Sequence, residues 1–363
     1  ANMLSNCQST LLCMQMYPDD VLLSFLPLSH TLERTCGYYG TVMAGCQVAF
    51  ARSVQQLAED LQSIRPTVLI SVPRIYERVN AAIRQKLAEG PALRRKLFEL
   101  ATQVGWARFE HQQGRGPWKP GFLLWPILQR LVARKVLARL GGRLRAATCG
   151  GAALSPDVAK LFIGLGLPVI QGYGLTETSP VVSTNRIDDN IPASIGKPIP
   201  GVQVKLGDKN ALLVKGPNVM LGYWNLPEAT AAMFTADGWL NTGDTARFDE
   251  TGHLYITGRL KEIINRGGEK ISPREVDEIL LDHPAVQQCV TFAVPHDKLG
   301  EDVAAAVVLR EGIQADEKVL RTFVATRLTD FKVPRKILIL AEIPKGATGK
   351  VQRIGLAKKL GLA

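Results

Sequence analysis

Five short strand-like segments, most of them largely apolar and set among stretches with helical spacing, constrain this fold more than any other feature of the chain. They begin the segment at residues 21–31 and recur at 46–50, 67–70, 144–148 and 167–170. Runs of this length that return after a helix read as buried strands of a parallel sheet joined by crossover helices. Between them, Ser53 is expected to cap a helix reaching about Ile64. Ile75, Val79, Ile83 and Leu87 share one face of a helix from Pro73, and a second helix runs from about Pro91 to Glu110. Ser155-Pro156 opens a further helix, with the hydroxyl as cap and proline in the first turn. The fold class expected is α/β.

Past Pro200 the texture changes. Short strands at 202–205, 212–214 and 254–256 are separated by Gly, Asp and Asn turns and read as a small β-rich subdomain. Residues 237–244 read there as an Asp-bearing glycine turn. The charged, glycine-broken stretch 258–270 is the expected domain boundary, separating residues 1–258 from 259–363. After it, Ser272-Pro273-Arg274-Glu275 is a capping box. A compact α/β unit follows, with strands at 287–294, 303–309 and 336–340 and a helix at 316–327. Residues 343–353 form a basic glycine loop that lacks the spacing of a P-loop.

The 363 residues are 46% hydrophobic and 21% charged, the balance of a well-cored globular protein. No stretch approaches 18 uninterrupted apolar residues, so no transmembrane helix is expected, and the first residues do not resemble a signal peptide. Six scattered cysteines without metal spacing read as reduced thiols in a cytoplasmic setting. The net charge of +11 is concentrated between Arg65 and Arg145, which hold 17 Lys and Arg against 4 Glu and no Asp. That segment is either a set of solvated helix faces or a basic surface for an anionic ligand or lipid headgroups. No recognition motif supports nucleic acid. Within residues 117–140, aromatics lead an apolar stripe interleaved with arginines. Such a stripe suits peripheral membrane contact, although a core-docked helix with a wet basic face is the preferred reading.

The candidate site centres on Gln171-Gly172-Tyr173-Gly174-Leu175-Thr176-Glu177-Thr178. Two glycines allow close approach, and two hydroxyls with a carboxylate at a strand's carboxyl end suit a phosphate with its metal ion. An ordinary glycine-rich connection remains the alternative. Gly150-Gly151-Ala152-Ala153-Leu154 flanks the same sheet edge. His30 stands after another strand end, where a structural role is the commoner one.

Taken together, these stretches resemble the adenylate-forming superfamily of acyl-CoA synthetases, luciferases and peptide-synthetase adenylation domains. The motifs occur in order: Leu26-Pro27-Leu28-Ser29-His30, Gly150–Leu154, Gly172–Thr178, Gly196-Lys197-Pro198, Thr242-Gly243-Asp244, Gly258-Arg259, Gly267-Gly268-Glu269-Lys270 and Gly349-Lys350. Residues 71–78 and 216–224 look most like long-chain fatty acyl-CoA synthetases, whereas 265–295 look more like short-chain, medium-chain or aryl ligases. The resemblance implies a large AMP-binding domain and a small mobile C-terminal domain. It also implies activation of a carboxylic acid by ATP with Mg²⁺, followed by transfer to coenzyme A. A carrier-protein thiol as acceptor, or a non-catalytic nucleotide-binding remnant, are its alternatives.

By the same resemblance, Gly151, Ala152 and Tyr173 line adenine within a nucleotide site that includes Gln171, Gly172 and Gly174. Thr176 contacts the α-phosphate and Glu177 holds Mg²⁺. Asp244 and Arg259 take the ribose, and Lys350 bridges carboxylate and α-phosphate. Lys261 is the hinge, within 259–261, and stands where many relatives carry Asp. Asn265 stands where Lys is frequent. Gly267, Gly268, Glu269 and Lys270 serve the coenzyme A side, and His30 gates the thiol. The family's phosphate loop, normally just upstream of the residues matching Ala1-Asn2-Met3-Leu4, is absent. The expectation is therefore a large domain lacking its start, and an AMP and metal site more than a complete ATP site.

Overall fold

A computed structural model describes residues 1–344 and 351–363. Lys350, with the rest of 345–350, lies outside the described residues. Two compact units divide the chain: residues 1–205, 213–242 and 248–255 form one, and residues 206–212, 243–247 and 256–363 the other.

The first unit is organised on a seven-stranded sheet. Its strands are β1 (Val21–Ser24), β2 (Gln47–Phe50), β3 (Val68–Ser71), β4 (Ala146–Cys149), β5 (Val169–Gly174), β6 (Val181–Thr184) and β7 (Lys197–Pro198), in the order β2-β1-β3-β4-β5-β6-β7. The first five are mutually parallel. β6 and β7 return antiparallel, so the sheet is mixed. Both faces of the inner strands β1, β3, β4 and β5 are covered, which explains their largely apolar runs, whereas the edge strand β2 stays partly exposed. Leu69 enters the core under the helices Pro73–Ala88, Ala92–Gln112 and Pro156–Gly164, while its neighbours Val68 and Ile70 pack on the opposite face with Met14 and Leu22. The helices Ala92–Gln112 and Pro156–Gly164 touch backbone to backbone: a Cβ placed on Gly105 would lie 1.8 Å from the Gly164 carbonyl oxygen.

At the amino end of this sheet a buried charge locks three strands. Asp20, 3% exposed, accepts from Tyr17 N–H (2.8 Å), Thr67 hydroxyl (2.6 Å) and Arg145 Nε (2.8 Å). Burial pushes its carboxyl up, but these donors and the Arg145 charge outweigh it and hold the group at about 2.

Several local expectations shift. The helix after Ser53 begins only at Leu57, because the Ser53 hydroxyl accepts from Gln56 N–H in a preceding turn (3.2 Å). Ser272 precedes the helix Pro273–Leu281 but forms no capping box: its hydroxyl donates to the Thr257 carbonyl (2.6 Å), and Glu275 pairs with Lys332 (2.7 Å). Residues 120–140 form one helical run of short 3-10, α and π pieces. Trp125, Leu128, Ala133 and Leu140 are buried there, while Leu123 and Ile127 stay 73% and 58% exposed. All six cysteines are free thiols. Among the described residues no helix is long and apolar enough to cross a membrane.

The next four strands, β8 (Gln203–Leu206), β9 (Ala211–Lys215), β10 (Leu240–Phe248) and β11 (Leu254–Arg259), form a sheet in the order β11-β10-β9-β8. The second sheet of the carboxyl half holds β12 (Ile264–Arg266), β13 (Glu269–Ile271), β14 (Val286–His296), β15 (Gly300–Leu309) and β16 (Lys336–Ile339). β14 and β15 run antiparallel through its middle, and β16 adds parallel to β15. Alternate residues of β15 serve two cores: Val303, Ala305 and Val307 meet Val276, Leu320 and Val324, whereas Ala304 and Ala306 meet Phe292, Ile343 and Leu356.

Candidate functional site

In the first unit, register brings the predicted residues to one sheet edge. Ser71, Cys149 and Gln171 are level across β3, β4 and β5, so Gly150 and Gly172 follow at the same height. The loop carrying His30 reaches this edge from β1, and Leu32 packs within 3.2 Å of where a Cβ on Gly150 would sit. His30 is exposed, and its Nδ1 accepts from Leu32 N–H (3.2 Å). Beneath it lies a residue with no sequence signal, Glu33, 1% exposed in the π turn Glu33–Tyr39. Burial pushes its carboxyl up to about 7, with a hydrogen bond from Ser24 opposing.

The strand runs further into the octapeptide than expected. Gln171 to Gly174 is β5 itself, held by β6, and the turn begins only at Leu175 with the short 3-10 segment Thr176–Thr178. Glycine is demanded at 174: a Cβ there would fall 1.8 Å from the Pro180 carbonyl oxygen, because the turn folds back onto the strand. Thr178 is fully buried and closes this turn, accepting from Leu175 N–H (3.0 Å) and donating to the Pro180 carbonyl. Thr176 is exposed.

Gln171 acts through position more than contact. Its side-chain oxygen accepts from Leu154 N–H (2.9 Å) and its amide donates to the Pro192 carbonyl, so it fixes the end of the Gly151–Ala152 loop, whose glycine and alanine are exposed. Two buried asparagines clamp the turn from afar. Asn6 donates to the Val181 carbonyl (2.7 Å) and accepts from Val181 N–H (3.1 Å), and Asn218 donates to the Thr178 carbonyl (2.9 Å). Glu177 is half-buried, and one of its oxygens accepts from the Tyr223 hydroxyl (2.7 Å). That hydrogen bond, with burial and the carboxylate charge, raises the Tyr223 phenol to about 12. Asn6, Asn218 and Tyr223 are positioning residues that sequence reasoning missed. Asn218 and Tyr223 fall in a stretch whose family likeness marked it, while Asn6 carried no signal.

The second unit holds the remaining predicted residues. Asp244 lies within strand β10 and not in a glycine turn; the turn precedes it, where Asp237 accepts from the Thr235 hydroxyl (2.6 Å). Asp244 is 4% exposed and accepts from Arg259 Nε (3.1 Å) at the end of β11, while the Arg259 side chain is 65% exposed. Lys261 is exposed in the 3-10 turn Leu260–Glu262. Gly267 and Gly268, at φ 59° and 101°, form the two-residue turn of the β12–β13 hairpin, so Glu269 and Lys270 stand exposed beside its tip. Arg353 binds both Glu262 (2.9 Å) and Asp277 (2.7 Å). Burial raises the Asp277 carboxyl to about 6 against the opposing pull of Arg353.

Among the described residues no cluster of three or more His, Cys, Asp or Glu is assembled. A magnesium ion needs none, since it takes one or two carboxylates with substrate phosphates and water. Glu177, with one oxygen tied to Tyr223 and an exposed hydroxyl beside it, fits that demand.

Comparison with known proteins places these features in a family. The model for AMP-binding enzymes matches residues 1–224, and the AMP-binding enzyme C-terminal domain matches residues 275–350. A long-chain-fatty-acid–CoA ligase, FadD15 of Mycobacterium bovis, is 39% identical over 278 residues, covering 74% of this chain and 44% of the relative. An oxalate–CoA ligase of Arabidopsis thaliana is 41% identical over 224 residues, covering 58% of this chain and 43% of the relative. Among solved structures, ATP-bound MatB from Rhodopseudomonas palustris superposes with a TM-score of 0.77 at 26% identity, over 99% of this chain and 63% of that one. The chain thus matches less than half the length of these curated relatives.

Proposed function

This chain belongs to the AMP-binding enzyme family, and we propose that it serves the ATP-dependent conversion of a carboxylic acid to its acyl-adenylate and then to a coenzyme A thioester. The observation that carries the reading is the meeting at one sheet edge of the exposed Gly151–Ala152 loop, exposed Thr176 and a Glu177 oriented by Tyr223. Gly151, Ala152 and Tyr173 face adenine, and Thr176 donates to the α-phosphate. Glu177 holds Mg²⁺, which when bound neutralises phosphate charge. Asp244 accepts from the ribose hydroxyls, with Arg259 beside it. Lys350 supplies positive charge between the carboxylate and α-phosphate as the acid's oxygen attacks phosphorus and pyrophosphate leaves. The coenzyme A thiolate then attacks the acyl carbonyl and AMP departs, with Gly267, Gly268, Glu269 and Lys270 on the thiol's side and His30 at its approach.

We read residues 1–258 as the AMP-binding domain and 259–363 as the C-terminal domain, turning at Lys261. The acid is read as a long-chain fatty acid. The FadD15 name and the stretches 71–78 and 216–224 support this, and the oxalate–CoA ligase marks the competing, small-acid choice. We place the protein in the cytoplasm and read 120–140 first as a core-docked helical run, which buried Trp125, Leu128, Ala133 and Leu140 support; peripheral membrane contact through 117–140 is the second reading, supported by the outward Trp118, Leu123 and Ile127.

The test supplies palmitoyl-adenylate and coenzyme A to the chain and measures palmitoyl-CoA and AMP. Thioester formation is expected, with palmitoyl-adenylate used in preference to oxalyl-adenylate. Absence of both thioester formation and AMP binding would overturn the ligase reading.

A further inference from the structure

The helix Pro73–Ala88, the start of the helix Ala92–Gln112 and the last turns of the 120–140 run enclose a groove of about 520 Å³ lined by none of the residues assigned to the nucleotide or the thiol. Its floor is aliphatic and aromatic, including Leu87, Leu97, Phe98 and Val136. Its polar members are four cations, Lys86, Arg94, Lys135 and Arg139, and no acid lines it. Among the described residues none of the four is in an ion pair. The four cations are exposed, with their charges set around an apolar trough, an arrangement complementary to a ligand with both an acyl surface and a negative head.

We propose that this groove binds a single-chain anionic amphiphile, a monomeric fatty carboxylate, with the chain along Leu97, Phe98 and Val136 and the head between Lys86, Arg94, Lys135 and Arg139. The volume lies within the ~300–1,000 Å³ of small-molecule sites. Concavity separates this ligand from a bilayer. A flat lipid surface engages side chains that project, and the most exposed on the same helical run, Leu123 and Ile127, do not line the groove, while Leu131 at its rim is exposed and lines it. A nucleic acid would leave the apolar floor unused. The inference does not rest on the ligase reading, since no residue of the nucleotide site takes part.

The experiment uses a palmitate analogue carrying a diazirine on its chain, below its micellar concentration, with crosslinks mapped by peptide mass spectrometry. Labelling is expected in peptides spanning 83–98 and 131–139, with palmitate competing at least 10-fold better than methyl palmitate. Lys135 and Arg139 are exposed, so the double variant Lys135→Glu/Arg139→Glu keeps the fold and is expected to weaken competition by palmitate about 10-fold while leaving the ester unchanged. Val136→Trp fills the groove and is expected to remove labelling there without changing labelling at other peptides. Equal competition by acid and ester, labelling confined to peptides of the strand-end site, or labelling that requires anionic vesicles would each overturn the proposal. In the vesicle arm, Trp118→Ser/Leu123→Ser/Ile127→Ser is expected to lower vesicle binding and leave groove labelling intact. Loss of groove labelling with thioester formation retained sinks this proposal alone; the converse sinks only the ligase reading.

Discussion

The two ends of β1 carry buried carboxyls that the protein treats in opposite ways. Asp20, at the amino end, is surrounded by donors from three segments and kept charged at about 2. Glu33, following the carboxyl end, has a side-chain oxygen without a partner and is pushed up to about 7. The same asymmetry holds for the whole sheet. Its amino edge is closed by a satisfied charge network. Its carboxyl edge is built from exposed small residues, an exposed threonine and a carboxylate held on one side only. The satisfied charge network and the exposed small and polar groups thus lie at opposite ends of the strands, the latter at the carboxyl ends, where open α/β sheets bind ligands.

The largest effect that could break this comparison is on the closed end. Arg145→Met leaves Asp20 buried without its charged partner and is expected to cost about 3–5 kcal/mol, read by denaturant unfolding, while acyl-AMP binding at folded conditions is retained. If binding is lost before the fold, the two ends are not separable. At the open end, Glu177→Ala is expected to lower magnesium-dependent adenylate formation on the order of 100-fold, with the melting temperature unchanged. Tyr223→Phe removes only the hydroxyl that holds Glu177. It is expected to reduce the same step by about 5-fold, in line with one hydrogen bond of about 1 kcal/mol, and to raise the magnesium concentration needed. Equal losses in Glu177→Ala and Tyr223→Phe would assign Tyr223 a direct role.

The smallest effect sharpens the comparison through its sign. Asp20 has a folded value below its unfolded one, so its contribution is present above pH 4 and is lost as pH falls toward 2. Glu33 has a folded value above its unfolded one, so the folded state binds the proton more tightly. Its contribution is present at pH 4.5 and is lost as pH rises through about 7. Glu33→Gln is therefore expected to flatten the decline of stability between pH 5 and 8, measured by urea unfolding across that range. An unchanged slope would mean that water or a cation satisfies Glu33.

What could be read from the sequence follows from how local the physical cause is. The inner strands of the parallel sheet were legible because burial on both faces writes a largely apolar run; β2, at the edge, was legible from its β-branched and aromatic residues between helical stretches. The strand continuing through Gly172 and Gly174 was not, because glycine carries no strand propensity and the pairing partner β6 lies beyond the turn. Ser53, Ser155 and Ser272 looked like caps, yet Ser155 holds its N-cap position without a side-chain cap bond, and the other two hydroxyls serve the Gln56 N–H and the Thr257 carbonyl. The octapeptide, the Gly151–Ala152 loop and the Gly267–Lys270 hairpin stood out through composition and spacing. Their supports did not: Asn6 reaches Val181 across 175 positions, and Arg145 reaches Asp20 across 125. Such contacts have no local period to betray them.

The backbone contact between Gly105 and Gly164 makes the Pro156–Gly164 helix a strut. One end of it follows Leu154, whose N–H is held by Gln171 at the carboxyl edge of the sheet, and the other bears on the helix whose first turns wall the cationic groove. With no side chain between them, the two helices meet at backbone distance at that crossing. A Cβ on Gly164 would likewise lie 2.6 Å from the Thr102 carbonyl oxygen, so a residue larger than glycine at either position would part the two helices.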